Sequence, residues 1–268
     1  MQAFLPHRRF SRVAWDAAKF MALSAFLLYL LYRGGRALPY HFQWYRVPRY
    51  FFSFQDGALV WGPLMRGLGM TLAISAASFV LALVFGVSSA MLRLSGSAAG
   101  GALSRLYVES IRNTPLLTQI LFLYFVIGPL FALSRYVCAI LALALFEGAY
   151  ASEIIRAGVL SVDPGQWEAC HSLGLSRWQA YTRVVLPQAF RKVLPPLTGQ
   201  TVSLVKDSAL VSVIAVYDLA MAAQDLVADT FLAFEIWFAA AGLYLALTLS
   251  LSALSGAVER RMANRYSF

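Results

Sequence analysis

Residues 67–92, GLGMTLAISAASFVLALVFGVSSAML, carry no charged side chain across 26 positions. A soluble helix of that length keeps a polar face toward water. A bilayer asks for the opposite, about 20 apolar residues to cross its hydrocarbon core, or more when the helix tilts. Two further runs behave the same way: 113–134, with 22 uncharged residues, and 236–258, with 23, the latter edged by Glu235 and Glu259. Two more are apolar except for internal charges. These are 136–155, with Glu147 and Glu153, and 193–217, with Lys206 and Asp207. Both read as membrane helices with ionisable groups inside. The run Phe20–Tyr32 has 13 residues and reaches spanning length only by extension back to Ala14, which takes in Asp16 and Lys19. It reads as a sixth span, with a surface-lying amphipathic helix as the alternative. Arg8, Arg9 and Arg12 resemble the start of a signal peptide, but Arg33-Gly-Gly-Arg36 makes a poor cleavage site.

Composition agrees. Of the 268 residues, 60% are hydrophobic and 13% charged, and the mean hydropathy is +0.65. Soluble domains carry about 25% charged residues. Disordered, collagenous and disulfide-rich classes are excluded. The net charge of +9 would suit nucleic acid. Here, however, the basic residues flank apolar runs instead of lining a polar face, so no nucleic-acid partner is expected. Cys138 and Cys170 make no disulfide framework, and no metal-ligand spacing occurs. His7, His41 and His171 fall in three separate polar segments and offer no catalytic set for a membrane enzyme.

Charge also orients the chain. Segments 93–112, 156–192 and 260–268 together hold eleven Lys and Arg residues. The segments alternating with them hold Arg135 alone on one side and only Asp218, Asp225, Asp229 and Glu235 on the other. The positive-inside rule places the first three in the cytoplasm, giving six spans with both termini inside. Residues 33–66 should then lie outside, yet they contain Arg33, Arg36, Arg46, Arg49 and Arg66. The aromatic cluster Tyr40 to Phe54 suggests that this stretch is anchored among lipid headgroups.

The longest cytoplasmic connection, 157–192, predicts two short helices. Asp163 and Pro164 open the first, and Leu173-Gly174 ends it. Ser176 caps the second, whose Trp178, Tyr181 and Val185 share a face, and Pro187 should break or kink the helix at that point. The bare pattern is a helix–turn–helix on the membrane surface, with a face for a partner or simply for its own bundle. Its residues resemble the Glu-Ala-Ala, Gly, Ile, Leu-Pro signature of permease subunits of ABC importers. Glu168, Ala169, Gly174, Leu186 and Pro187 match at the right spacings, while Cys170 and Val184 depart conservatively. Further segments resemble the polar amino-acid branch: Gly67–Ser75, Arg112–Gln119, Ala149–Gly158, Pro164–Gln166, Leu186–Arg191 and Lys206–Leu210. Arg112 is expected to snorkel at a helix start, and Pro115 to open the first turn of its span.

The resemblance covers about residues 60–260. It implies an all-α membrane protein, a five-helix type I ABC importer permease core with one additional N-terminal transmembrane helix. The implied division is an extension at 1–58, a permease domain at 59–260 and a cytoplasmic tail at 261–268. It also implies that the 157–192 loop docks on separate ABC ATPase subunits, which bind the ATP and Mg. No phosphate-binding loop is present, since none of Lys19, Lys192 and Lys206 follows a glycine. The other implied partners are a second permease copy or paralogue, an external solute-binding protein, an amino-acid substrate and the lipid bilayer. No cofactor is expected in this chain.

Glu147, Lys206 and Asp207 would sit near the bilayer midplane, where each charge costs from about 2.5 kcal/mol upward. Two readings compete. A Lys–carboxylate pair would merely join two helices, and removal of one partner would strand the other. Alternatively, Lys206 attracts the α-carboxylate of a zwitterion, Asp207 or Glu147 its α-ammonium, and Ser208 adds a hydroxyl. The resemblance favours the second, because the segment matching Lys206-Asp207-Ser208 lies in the translocation pathway of related permeases. Glu153 with Arg156 three residues on reads as a helix-surface pair. An ion-coupled secondary transporter using Glu147 and Lys206 is the alternative function, although no inverted repeat is visible.

Overall fold

The computed structural model describes residues 7–37, 40–55 and 57–264, and the chain divides into two units, 1–42 and 43–268. The first unit is built on one helix, α1 (His7–Ala37), within which Trp15–Arg36 is long and apolar enough to span. Phe20, Met21, Leu23, Phe26 and Leu27 along it are exposed, which suits contact with lipid.

The second unit begins with a 3-10 turn (Trp44–Arg46), α2 (Pro48–Phe51) and a hairpin of β1 (Phe52–Gln55) and β2 (Ala58–Trp61). The strands pair antiparallel with Phe52 opposite Trp61 and Gln55 opposite Ala58. An interfacial anchor was all that the aromatic and basic residues of this stretch suggested. A signal for the hairpin is nonetheless present: Asp56-Gly57 between two apolar-rich runs is a two-residue turn sequence, and Gly57 has φ 77°.

The bundle comes next. It comprises α3 (Pro63–Leu94), α4 (Ala98–Arg112), α5 (Leu116–Phe122) with a π turn (Leu123–Ile127) into α6 (Gly128–Leu130), and α7 (Arg135–Leu160). Then come α8 (Pro164–Ser172), α9 (Arg177–Ala180), a second π turn (Tyr181–Val185), α10 (Leu186–Asp207), a 3-10 stretch (Ser208–Ile214), α11 (Leu219–Thr230) and α12 (Ala233–Asn264). Among the described residues four helices are long and apolar enough to cross a membrane, and six spans result if two bent pairs each count as one.

Four expectations need correction. The basic segment 93–112 is not a loop: its residues 98–112 form α4, an amphipathic helix that meets α5 at 104°. The uncharged run after it yields helix only over Leu116–Leu130, and Pro115 is the N-cap, not the first turn. At 1.5 Å per residue those 15 residues reach about 22 Å, short of a straight span. Pro187 ends nothing: the π turn before it shifts the hydrogen-bond register, Leu186 N–H reaching the Tyr181 carbonyl, and the helix runs on. Finally, 218–235 is not an open acidic connection. It is mostly α11, which packs on α3, and both Asp218 and Glu235 are fully buried.

Asp218 survives burial because it is satisfied. Its Oδ1 accepts from Met221 N–H at 2.8 Å, and its Oδ2 from Tyr244 Oη–H at 3.3 Å. Glu235 accepts from the Gln43 N–H at 2.5 Å, tying the turn before the hairpin to the first turn of α12.

The central seam is α3 against α7, and small residues make it. A side chain on Gly86 would lie 2.7 Å from Ala151 Cβ and 3.1 Å from the Gly148 carbonyl. One on Gly148 would lie 2.9 Å from Phe85 Cβ and 2.8 Å from Tyr107 Oη. With no hydrophobic effect between helices in lipid, such close backbone approach and buried hydroxyl bonds supply the association. Ser89, Ser104 and Ser152 provide the latter, linked at 2.8 and 3.0 Å.

Candidate functional site

Two regions carry the sequence-predicted residues. The first is the connection between α7 and α10. Asp163 Oδ1 accepts from Gly165 N–H at 2.7 Å and Pro164 is the first helical residue, so α8 starts as its capping residues dictate. Gly174 has φ 69°, the left-handed conformation that ends α8. Ser176 and Gln179 form a reciprocal capping box for α9. The base of the loop is held by Lys192 Nζ on the Ser161 carbonyl at 2.6 Å and Gln188 on Gln166 at 3.1 Å. The Trp167 and Tyr181 rings meet edge-on with centroids 5.1 Å apart, and Val159, Val162, Val185 and Ala189 form a small core beneath them.

The tip is different. Leu173 and Trp178 are 78% and 73% exposed. Trp178 therefore leaves the face on which Tyr181 and Val185 pack, contrary to the shared face expected from spacing. Glu168 and Ala169 are exposed on α8, while Leu186 and Pro187 are exposed at the start of α10. Cys170, which lies in a polar stretch of sequence, is buried. A rigid base with a large apolar tip suits docking of another protein.

The second region lies halfway along α7. Glu147 is 2% exposed, and its Oε2 accepts from Gln200 Nε2 at 2.6 Å. Sequence reasoning missed Gln200. The available signal was helical spacing, since Gln200 precedes Asp207 by seven residues and shares its face. Lys206 is exposed, Asp207 half-buried and Ser208 buried. Among the described residues no ion pair joins Lys206 to Asp207 or Glu147, so the Lys–carboxylate pair of the less favoured reading does not form. The residues lie on different faces of α10: at about 100° per residue, Lys206 points roughly 100° from Asp207. Ser208, the first residue of the 3-10 stretch, donates its hydroxyl to the Val205 carbonyl in the last turn of α10 at 2.8 Å.

Glu153 does more than pair along its helix. It accepts from Arg156 at 2.7 Å and from Arg93 on α3 at 2.5 Å, which clamps the ends of the two central helices. Arg112 closes α4 instead of opening a span, and its guanidinium lies over the Tyr150 ring at 5.0 Å.

A helical bundle with a polar patch halfway along its spans and a capped, partner-accessible loop defines an integral-membrane transport subunit. Residues 82–264 match the family described as binding-protein-dependent transport system inner membrane component. The chain is 37% identical over 213 residues to the glutamine transport system permease protein GlnP of Escherichia coli strain K12, covering 77% of this chain and 97% of that one. It is 39% identical over 211 residues to the L-cystine transport system permease protein TcyB of Bacillus subtilis, covering 77% and 88%. A crystal structure of an amino acid ABC transporter with histidines aligns with TM-score 0.71 and 35% identity, over 74% of this chain and 94% of that one. The chain belongs to the binding-protein-dependent transport system inner membrane components, and its fold is that of a type I ABC importer permease.

Proposed function

We propose that this chain is the permease subunit of an ABC importer for polar amino acids in the bacterial inner membrane. The observation that carries the reading is the capped loop between α7 and α10, whose Glu168, Ala169, Gly174, Leu186 and Pro187 stand at the signature spacings. Glutamine and cystine permeases at 37% and 39% identity support the substrate class. Nothing favours the secondary-transporter alternative.

The loop faces the cytoplasm and docks on separate ATPase subunits, which hold the ATP and Mg. A second permease copy or a paralogue completes the pathway, and an external binding protein delivers substrate. Residues 1–58 form an added extension with one span, 59–260 the permease domain, and 261–268 a cytoplasmic tail, of which 265–268 lie outside the described residues. ATP binding closes the ATPases and moves the loop. The cavity then switches from inward- to outward-facing. Lys206, exposed and without a carboxylate partner among the described residues, takes the substrate α-carboxylate. Asp207 or Glu147 takes the α-ammonium, and Ser208 shapes the wall beside them.

Reconstitution with ATPase and binding-protein partners in proteoliposomes tests this reading. With Lys206→Met and Asp207→Leu combined, the complex is expected to assemble and bind ATP while uptake falls more than about tenfold, the equivalent of about 1.4 kcal/mol of binding. Because no ion pair joins the two residues, each single variant should assemble as well as the double. Substantial uptake by the double variant would remove both residues from the substrate site.

Topology is checked separately by cysteine labelling at Ser11 and Ser267. The native Cys138 and Cys170 are buried, at 0% and 3% exposure, and give little background. An impermeant maleimide should label neither position in intact cells and both after permeabilisation. Labelling of position 11 from outside would leave five spans.

A further inference from the structure

Arg46 and Arg49 lie in the one segment whose charge runs against the topology: residues 33–66 should face outside, yet they hold five arginines. The proposed transport cycle uses neither residue. Arg46 closes the 3-10 turn and Arg49 stands three positions on in α2, so the two side chains leave neighbouring turns. Each is placed by its own contacts. Arg46 Nη1 donates to Gln43 Oε1 at 2.9 Å. Arg49 Nη2 donates to Tyr50 Oη at 2.7 Å, and its guanidinium lies 4.9 Å from the centre of the Tyr50 ring. Tyr50 is itself packed in a core with Leu64, Leu219 and Ile236. Among the described residues neither arginine has a carboxylate within ion-pair distance. Glu235, which bonds this segment, is fully buried and accepts from the Gln43 N–H. A guanidinium carries five N–H donors, so both cations keep donors to spare.

Beside them α12 carries an apolar groove of about 320 Å³, lined by Ala233, Phe234, Trp237, Phe238 and Ala241. Ala233, Trp237 and Ala241 stand four apart along one ridge, Phe234 and Phe238 along the next, and the small alanines leave the hollow. The Trp44 and Phe238 rings lie with centroids 6.2 Å apart, so the groove wall continues to the 3-10 turn. Arg46 follows Trp44 by two residues, about 4 Å along that turn.

Length and charge decide the occupant. Residues 233–241 cover about 12 Å of helix. A spanning partner helix would follow α12 across about 30 Å of hydrocarbon, whereas one leaflet is roughly half of that. Beyond the groove Leu245, Leu249 and Leu254 are exposed, a bulky surface of the ordinary lipid-facing kind. The groove is thus one leaflet deep, with two arginines at its headgroup end. Arginine binds phosphate oxygens in a two-pronged, charge-assisted geometry.

We propose that Arg46, Arg49 and the α12 groove form a binding site for an anionic phospholipid, with the phosphate on the guanidinium groups and one acyl chain along Ala233–Ala241. The topology proposed above puts this lipid in the outer leaflet. The site depends on neither the substrate pocket nor the loop between α7 and α10. A zwitterionic lipid brings its own ammonium toward the two cations and binds less tightly.

The test uses the permease assembled with its ATPase subunits, stripped of lipid in maltoside detergent. Phosphatidylglycerol and phosphatidylcholine with the same acyl chains are titrated in, and bound lipid is counted by native mass spectrometry. Phosphatidylglycerol should fill one site per permease copy at least about fivefold more tightly than phosphatidylcholine. Arg46→Gln combined with Arg49→Gln should erase that margin, whereas Arg105→Gln, an exposed position on α4, should keep it. Ala241→Phe fills the groove and should weaken both lipids alike. Inorganic phosphate, which carries the charge without a chain, should not displace the lipid. Arg49→Lys separates charge from packing: it keeps a cation and should retain most of the margin, while complete loss would mean that contact with Tyr50 sets the binding. The proposal is overturned by that loss, by equal binding of the two lipids, or by a margin that survives in the double arginine variant. Loss of the margin in Arg105→Gln, undiminished binding in Ala241→Phe, or displacement by phosphate would each overturn it as well.

Discussion

Replacing Gly86 or Gly148 by leucine is expected to abolish accumulation of folded permease, whereas Gly69→Leu leaves it unchanged. At Gly86 the first added carbon already meets Ala151 Cβ at 2.7 Å and the Ser152 nitrogen at 3.2 Å. At Gly148 it meets Phe85 Cβ at 2.9 Å and the Ala82 carbonyl at 3.2 Å. Apart from Tyr107 Oη, 2.8 Å from the Gly148 position, these neighbours are backbone or the first carbons of side chains, which have no free end to swing aside. Relief requires α3 and α7 to separate along their length, and that breaks the Ser152–Ser89 bond as well. Overpacking alone costs about 1–3 kcal/mol, and the loss of buried hydroxyl partners adds to it. Gly69 is on the same helix with nothing within 4 Å of where its side chain would stand, so it controls for leucine as such. Fluorescence-detected size exclusion of the solubilised membrane fraction reads the outcome. A monodisperse Gly86→Leu peak at wild-type height would show that the seam tolerates separation.

Gly174→Pro should eliminate uptake while the protein still inserts at normal levels. Proline fixes φ near −65°, and Gly174 sits at 69°. The turn between α8 and α9 cannot form with proline there, so Glu168 and Trp178 lose their common placement at the loop tip. Gly174→Asn is the informative companion, because asparagine enters the left-handed region at modest cost and should retain most activity. Glu168→Lys leaves the backbone alone and reverses one exposed charge; it too should uncouple transport. Hydrolysis of ATP stimulated by loaded binding protein is the second readout. Normal stimulation in Gly174→Pro and Glu168→Lys would mean that the loop does not carry the signal.

The features visible in the sequence are the locally determined ones. Asp163, Pro164, Gly174 and Ser176 each act on backbone within a few residues, so the helix ends they specify appear where capping rules put them. The long apolar runs are equally plain, since composition alone places them in lipid. What sequence hides depends on which residues come together. Asp218 and Glu235 look like outer-surface charges, and only tertiary packing brings Tyr244 to one and the Gln43 backbone to the other. Lys206 and Asp207 are adjacent in sequence, which suggests a pair, but the helix turns them to different faces. Gln200 escapes notice because an amide in an apolar run carries no charge. Pro187 misleads for a different reason: its rule assumes an α-helical register, and the π turn before it removes that assumption.

That π turn has a mechanical meaning. From Arg177 through α10 to Gln200 the chain is continuously helical over roughly 35 Å at 1.5 Å per residue, with two consecutive prolines, Pro195 and Pro196, inside it. Work done on the exposed tip therefore has no slack loop in which to dissipate. In the proposed importer it reaches the Glu147–Gln200 contact as a rotation or shift of α10. On the proposed reading, that bond ties the partner-facing loop to a residue of the substrate pathway, so drive and grip on the cargo are joined in a single lever.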